Sequence, residues 1–138
     1  MKKWVFIMRG CPGSGKSTIA NCITGVHGGV IHTTDSYHME GGKYVFKPEK
    51  LAEFHEKNLE AFKESLKKGI EVVICDNTNI SPSHWSDYEH AARVAKYSVR
   101  IITVTGGSSS EYEKNTCHSV PLQVIDRMRC DLYPLGEK

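Results

Sequence analysis

The sequence predicts an α/β fold, a parallel sheet with helices on both faces. Strand-like and helix-like segments alternate along the whole chain. Of the strand-like runs, Trp4-Val5-Phe6-Ile7-Met8 is short and continuously apolar, the pattern of a strand covered on both faces. Four polar segments follow those runs, at what would be the carboxyl ends of parallel strands, where open α/β sheets take their ligands. The 138 residues suit one domain, residues 1–138. A chain of about that length buries roughly 70% of its unfolded surface and needs no staple.

The first strand is Trp4-Val5-Phe6-Ile7-Met8. After the glycine-rich stretch Gly10–Gly15, the segment from Lys16 to Ile23 suits a helix, and Gly28-Gly29 end that unit. Val30-Ile31-His32 is a short second strand leading to Thr33-Thr34-Asp35. Residues 36–47 have no period and are expected to form a loop. Pro48 fits the first turn of a helix. Leu51, Phe54, Leu59, Phe62 and Leu66 then line one helical face as core, with Lys67, Lys68 and Gly69 at the helix end. Ile70 to Cys75 is a third strand. Ser81-Pro82 reads as an N-cap with proline at the first helical position, opening a helix to about Ala95 that buries Trp85 and Tyr88. Val99 to Val104 is a fourth strand, Gly106 to Ser110 a polar loop, and Ser119-Val120-Pro121 starts a last helix carrying Leu122, Ile125 and Met128.

Composition excludes several classes. Eighteen Lys and Arg against 16 Asp and Glu leave a net charge of +2, too balanced for binding nucleic acid by charge alone. No apolar run approaches the roughly 20 residues of a membrane span, so no membrane partner is expected. Met1-Lys2-Lys3 mimics a signal sequence, but the apolar run behind it is broken by Arg9. Five cysteines without a Cys-x-x-Cys pair fit reduced thiols, and a cytoplasmic or nuclear protein that is not secreted is expected. The seven histidines (His27, His32, His38, His55, His84, His90 and His118) form no cluster at zinc spacing.

Gly10-Cys11-Pro12-Gly13-Ser14-Gly15-Lys16-Ser17, followed by Thr18, fits G-x-x-x-x-G-K-[ST] at every fixed position. It follows a strand and opens a helix, the context of a phosphate-binding P-loop, and places the fold among P-loop NTPases. Glycines let successive N–H groups turn inward around an anion, and the helix N-terminus adds positive potential. Lys16 is then the ligand of the β- and γ-phosphates, and the Ser17 hydroxyl the ligand of Mg²⁺. Cys11, beside Lys16 and a helix start, is expected to have a lowered thiol pKa.

Asp35, just after the second strand, can accept the proton of an attacking hydroxyl, or can be a plain turn aspartate. Asp76 closes the third strand, where such folds hold Mg²⁺. Asn77, Thr78 and Asn79 extend the polar patch and either fix an acceptor, orient Asp76, or serve the turn alone.

Gly10–Thr18, Thr34-Asp35-Ser36-Tyr37, Asp76-Asn77-Thr78-Asn79 and Val120-Pro121 with Ile125-Asp126-Arg127-Met128 occur in order. Together they resemble the P-loop 5′-hydroxyl polynucleotide kinases of the phage type. Tyr44-Val45-Phe46, the run from Glu53 to Asn58, and Asp76–Asn79 resemble still more the kinase-like P-loop domains of some ubiquitin-ligase-binding proteins. The resemblance implies an adenylate-kinase-like fold that moves the γ-phosphate of ATP, with Mg²⁺, to a nucleic-acid 5′-hydroxyl. It implies Lys16 and Ser17 as phosphate and metal ligands, Asp35 as general base, and a lid within about residues 106–120. Two positions depart from the family. Where the phage-type kinases carry an arginine that grips the acceptor's phosphate, this chain has His38. Its lid segment from Glu111 to His118 has no arginine, leaving Lys114 as the candidate catalytic cation. His38, Asp76, Asn77, Thr78 and Asn79 are the candidate acceptor contacts, and Ser17 and Asp76 the candidate metal ligands. The sequence supports three readings: a kinase of polynucleotide or nucleotide 5′-hydroxyls, a small-metabolite kinase, and a nucleotide-binding module that acts through a protein partner.

Overall fold

The computed structural model describes residues 2–105, 108–115 and 120–132. A four-stranded parallel sheet has the order β2-β5-β1-β6, from strands β1 (Trp4–Arg9), β2 (Val30–His32), β5 (Val72–Asp76) and β6 (Ser98–Thr103). Helix α1 (Lys16–His27) covers one face, and α2 (Leu51–Lys67) with α3 (Pro82–Val94) the other. The period of two along the strands decides which side chain meets which helix. Val5, Ile7, Val73 and Cys75 pack with Phe62, Leu66, Trp85, Tyr88 and Ala92 of α2 and α3. Met8, Val72 and Ile74 pack with Ala20 and Ile23 of α1. Both faces of β1 and β5 are therefore apolar, as their unbroken runs require. Among the described residues no helix is long and apolar enough to cross a membrane.

Several boundaries differ from the sequence reading. Residues 36–47 are not a plain loop. Thr34–His38 is a 3₁₀ turn, followed by an antiparallel pair, β3 (Met39–Glu40) and β4 (Lys43–Tyr44). Gly41 and Gly42 both have positive φ, at 56° and 83°, which is the backbone a two-residue hairpin turn demands. The third strand starts at Val72 rather than Ile70, because Ile70 and Gly69 still belong to the helix exit. Ile70 N–H donates to the Ser65 carbonyl at 3.3 Å and Gly69 N–H to that of Leu66 at 3.0 Å. Pro48 opens a short 3₁₀ turn, Pro48–Lys50, that runs into α2. Leu51, expected in the core, is 37% exposed.

Within the expected polar loop, Ser109 and Ser110 belong to a helix, α4 (Ser109–Asn115). Its cause is legible in Ser108-Ser109-Ser110-Glu111. Ser108 N–H donates to Glu111 Oε1 at 2.9 Å and Glu111 N–H to Ser108 Oγ at 3.2 Å, a reciprocal capping box. The last helix, α5 (Leu122–Leu132), opens on Pro121, whose carbonyl accepts from Val124 and Ile125. The start proposed at Ser119 and the remainder of the loop, residues 106–107, lie outside the described residues, as does His118.

Candidate functional site

The residues between β1 and α1 turn tightly because glycine stands where φ is positive, +80° at Gly13 and +97° at Gly15. Gly10 N–H donates to the Thr78 carbonyl at 3.0 Å, so the loop is tied to the segment after β5. A Cβ on Gly13 would lie 2.0 Å from the Tyr112 carbonyl oxygen, so α4 rests directly against the loop. A Cβ on Gly15 would meet nothing within 4 Å.

Lys16 and Ser17 open α1 and reach toward the end of β5. Ser17 Oγ donates to Asp76 Oδ2 at 2.8 Å, and Lys16 Nζ lies 3.9 Å from Asp76 Oδ1. Asp76 is 4% exposed, and its Oδ1 accepts no hydrogen bond. The buried Ser14 Oγ likewise has no hydrogen-bond partner. A hydroxyl and a carboxylate in contact, with one carboxylate oxygen accepting no hydrogen bond in the protein interior, are the hard oxygen donors that suit Mg²⁺. These residues fit that ion.

A cavity of about 800 Å³ opens over this pair. Pro12 to Thr18 line it, together with Thr34, Asp35, Asn77 and Thr78. Asp35 is the second residue of the 3₁₀ turn, and its N–H donates to Thr33 Oγ1 at 3.3 Å. Asn77 holds the same turn, since its Oδ1 accepts from Thr34 N–H at 2.9 Å and Thr34 Oγ1 at 3.1 Å. The glycine-rich loop, Ser17 and Asp35 thus line one space.

Two apolar clusters complete the lining. His38, Tyr44 and Phe46 come from the 3₁₀ turn and hairpin, with Leu51 and His55 of α2. Val120, Pro121, Val124 and Met128 come from α5 and its approach, with Asn115 at the end of α4. Tyr44, Phe46, Leu51, His55 and the α5 residues are not among the sites read from the sequence. Leu51 was hidden by its place in an otherwise buried stripe, whereas Phe46 carried a signal, an aromatic side chain in a segment with no core period.

Five expected site residues are not brought to the cavity wall. Asp76 sits behind Ser17. Gly10 and Cys11 lie beneath the loop. Cys11 packs with Tyr112 and Ile125, and burial raises its thiol pKa against the opposing pull of Arg129 and Lys16. The low pKa expected for it is corrected accordingly. Asn79 does structural work: at φ 47° its Nδ2 donates to the Met8 carbonyl at 2.8 Å, and its own carbonyl accepts from Arg9 Nε at 2.9 Å. Lys114 is exposed on α4, and the neighbouring Asn115 lines the cavity instead.

Comparison with known proteins agrees with this fold. A family model described as an AAA domain matches residues 5–134. Human NEDD4-binding protein 2 is 34% identical over 126 residues, which are 88% of this chain but 7% of that protein. A chain of the solved Pnkp1/Rnl/Hen1 RNA repair complex superposes with a TM-score of 0.75 at 21% identity, over 95% of this chain and 44% of that one. A gluconokinase from Sinorhizobium meliloti 1021 superposes with a TM-score of 0.62 at 20% identity, over 96% of this chain and 77% of that one. The chain therefore spans under half the length of the first two relatives. The structural likenesses show the fold, that of P-loop kinases of the adenylate-kinase type.

Proposed function

The chain belongs to the AAA-domain family that it matches over residues 5–134, and on that premise we propose that it transfers the γ-phosphate of ATP to a hydroxyl, the 5′-hydroxyl of a polynucleotide or nucleoside. The observation that carries the reading is the meeting of Lys16, Ser17 and Asp35 on one cavity, with Asp76 directly behind. The gluconokinase and the chain of an RNA repair complex among its structural neighbours support phosphotransfer to a hydroxyl, and the aromatic residues of the cavity favour a nucleoside acceptor over a sugar.

In this reading the backbone amides around Gly13–Ser17 hold the donor's phosphates, and the Lys16 ammonium balances charge on the outer ones. Ser17 and Asp76 would hold Mg²⁺, which when bound draws charge from the phosphate oxygens. Asp35 accepts the proton of the attacking hydroxyl. The 3₁₀ turn fixes its place, and Asn77 fixes the turn.

A second reading has one observation in its favour. No described residue lining the cavity is an arginine. Arginine at a transferring phosphate is worth about 10³–10⁵ in rate. A nucleotide-binding module acting through a protein partner needs none, and the human relative is itself named for binding a protein. Transfer of label from ATP to a 5′-hydroxyl acceptor, measured beside ATP binding, separates the two. Lys16→Ala should abolish binding, and Asp35→Asn should leave binding intact while cutting turnover by about 10²–10⁴. Full turnover in Asp35→Asn would remove the proposed base.

A further inference from the structure

Resting on the phosphotransferase reading, we infer that the acceptor is a nucleoside recognised through stacking of its base on Phe46 and Tyr44, which His38 backs from behind, and that the site does not grip the acceptor's phosphate. A nucleoside with a bare 3′-hydroxyl and one with a 3′-phosphate are then comparable substrates.

Charge argues first. Among the described residues lining the cavity, Lys16 alone is a lysine or arginine, and it stands at the donor's end, 3.9 Å from Asp76. Lys47, on the hairpin's exit, has its ammonium 3.2 Å from Glu40 Oε1. Among the described residues, a phosphate on the acceptor therefore meets no cationic fork of the kind that binds it bidentately.

His38 argues second. It is 1% exposed, and its ring centroid lies 4.7 Å from that of Phe54, 5.1 Å from Phe46 and 5.7 Å from Tyr44. Its Nδ1 accepts a hydrogen bond from Lys47 N–H at 3.1 Å. That bond makes Nδ1 the acceptor nitrogen of the ring. The ring at this position is a buried part of an aromatic wall, its Nδ1 already engaged by Lys47 N–H, and not a phosphate clamp.

Shape argues third. Phe46 is 53% exposed and lines the cavity, so a large aromatic face is presented to whatever enters. Leu51 and the exposed His55 extend that floor. Desolvation first, and the nearby His84 and His38 after it, lower the His55 pKa, so His55 is uncharged near neutrality. A polyhydroxylated sugar needs a ring of free donors and acceptors, yet Asn77 Oδ1 already accepts twice from Thr34. A flat base needs only the ring faces.

The transfer itself balances simply. The nucleoside 5′-oxygen forms a bond to the γ-phosphorus, and the bond from that phosphorus to the β–γ bridging oxygen breaks. ADP leaves with the electron pair, and the hydroxyl proton passes to the Asp35 carboxylate.

The test uses the full chain with four nucleosides, their 3′-monophosphates, and gluconate as a sugar control. Binding is read by calorimetry with a non-hydrolysable ATP analogue, and transfer by label from ATP. Each nucleoside and its 3′-monophosphate should show kcat/KM values agreeing within about threefold. Phe46→Ala should raise the nucleoside KM or Kd about 5- to 150-fold, the range of base–aromatic stacking, with the ATP KM unchanged. Phe46→Tyr should restore it. A gain of about tenfold or more from the 3′-phosphate, the size of a charged hydrogen bond, would overturn the inference. So would an unchanged nucleoside KM in Phe46→Ala, or gluconate as the better acceptor. Nucleoside binding that depends on Phe46 without any transfer would support the acceptor site and remove the phosphotransferase reading instead.

Discussion

Asn77 is the cheapest place to loosen Asp35 without touching it. Its Oδ1 accepts from the Thr34 N–H at 2.9 Å and from Thr34 Oγ1 at 3.1 Å, and both residues are buried. In Asn77→Ala the hydroxyl can rotate toward another partner, but the N–H direction is fixed by the 3₁₀ turn. An unsatisfied buried N–H costs about 1–3 kcal/mol, and the second lost bond adds about 1 kcal/mol. The expected loss is about 2–4 kcal/mol, read as a lower urea midpoint with an unchanged slope. Because the turn carries Asp35, kcat for transfer should fall about 10–100-fold, the effect of a small misplacement, while ATP affinity holds. Asn77→Asp keeps an oxygen acceptor for Thr34 and should recover much of the stability. A stability loss under about 0.5 kcal/mol in Asn77→Ala would refute the reasoning. A rise in acceptor KM alone would mean that Asn77 touches the acceptor.

Arg9 donates to the carbonyls of Asn79, Ile80 and Leu132 and to Thr103 Oγ1, with its guanidinium carbon 4.7 Å from the Trp85 ring centre. Arg9→Met strands those carbonyls and should cost about 3–5 kcal/mol in urea unfolding, and Arg9→Lys should recover little because lysine lacks the planar fork. Native alkylation near neutral pH, read by mass spectrometry, should mark Cys22 and Cys130 before Cys11 and Cys75. The first two are exposed, while burial raises the thiol pKa of Cys11 and pushes that of Cys75 up to about 12. Burial holds His32 and His55 below the ordinary value of 6.5, so the unfolded chain takes up protons first as the pH falls. Their stabilisation is full above about pH 6.5 and is lost below it. Melting temperature should therefore drop between about pH 7 and pH 5, and less steeply in His32→Gln.

What the sequence disclosed, it disclosed through local rules. The apolar runs of β1 and β5 announce strands buried on both faces, and Gly10–Ser17 announces its own backbone because only glycine takes the positive φ at positions 13 and 15. Ser81-Pro82 likewise marked the start of α3 correctly. The remainder depended on tertiary placement. Whether Asn79 faced an acceptor or the Met8 carbonyl could not be read from an Asp-Asn-Thr-Asn run, since both uses need the same amide. Cys11 was misjudged for a related reason: proximity to Lys16 lowers a thiol pKa, but packing under Tyr112 and Ile125 outweighs it, and packing is not written in the neighbouring residues. Two features were legible and overlooked, the Gly41-Gly42 hairpin turn and the capping box from Ser108 to Glu111. The aromatic wall around His38 gathers residues from three segments, which no window along the chain assembles.

The close approach of Gly13 to the Tyr112 carbonyl makes alanine substitutions in the loop unequal probes. A methyl at position 13 acts as a wedge that must push α4 aside, so its damage mixes a deformed cradle with a displaced roof. A methyl at position 15 enters open space and disturbs the backbone torsion alone. The difference between the two variants isolates how much nucleotide affinity depends on the seating of that helix.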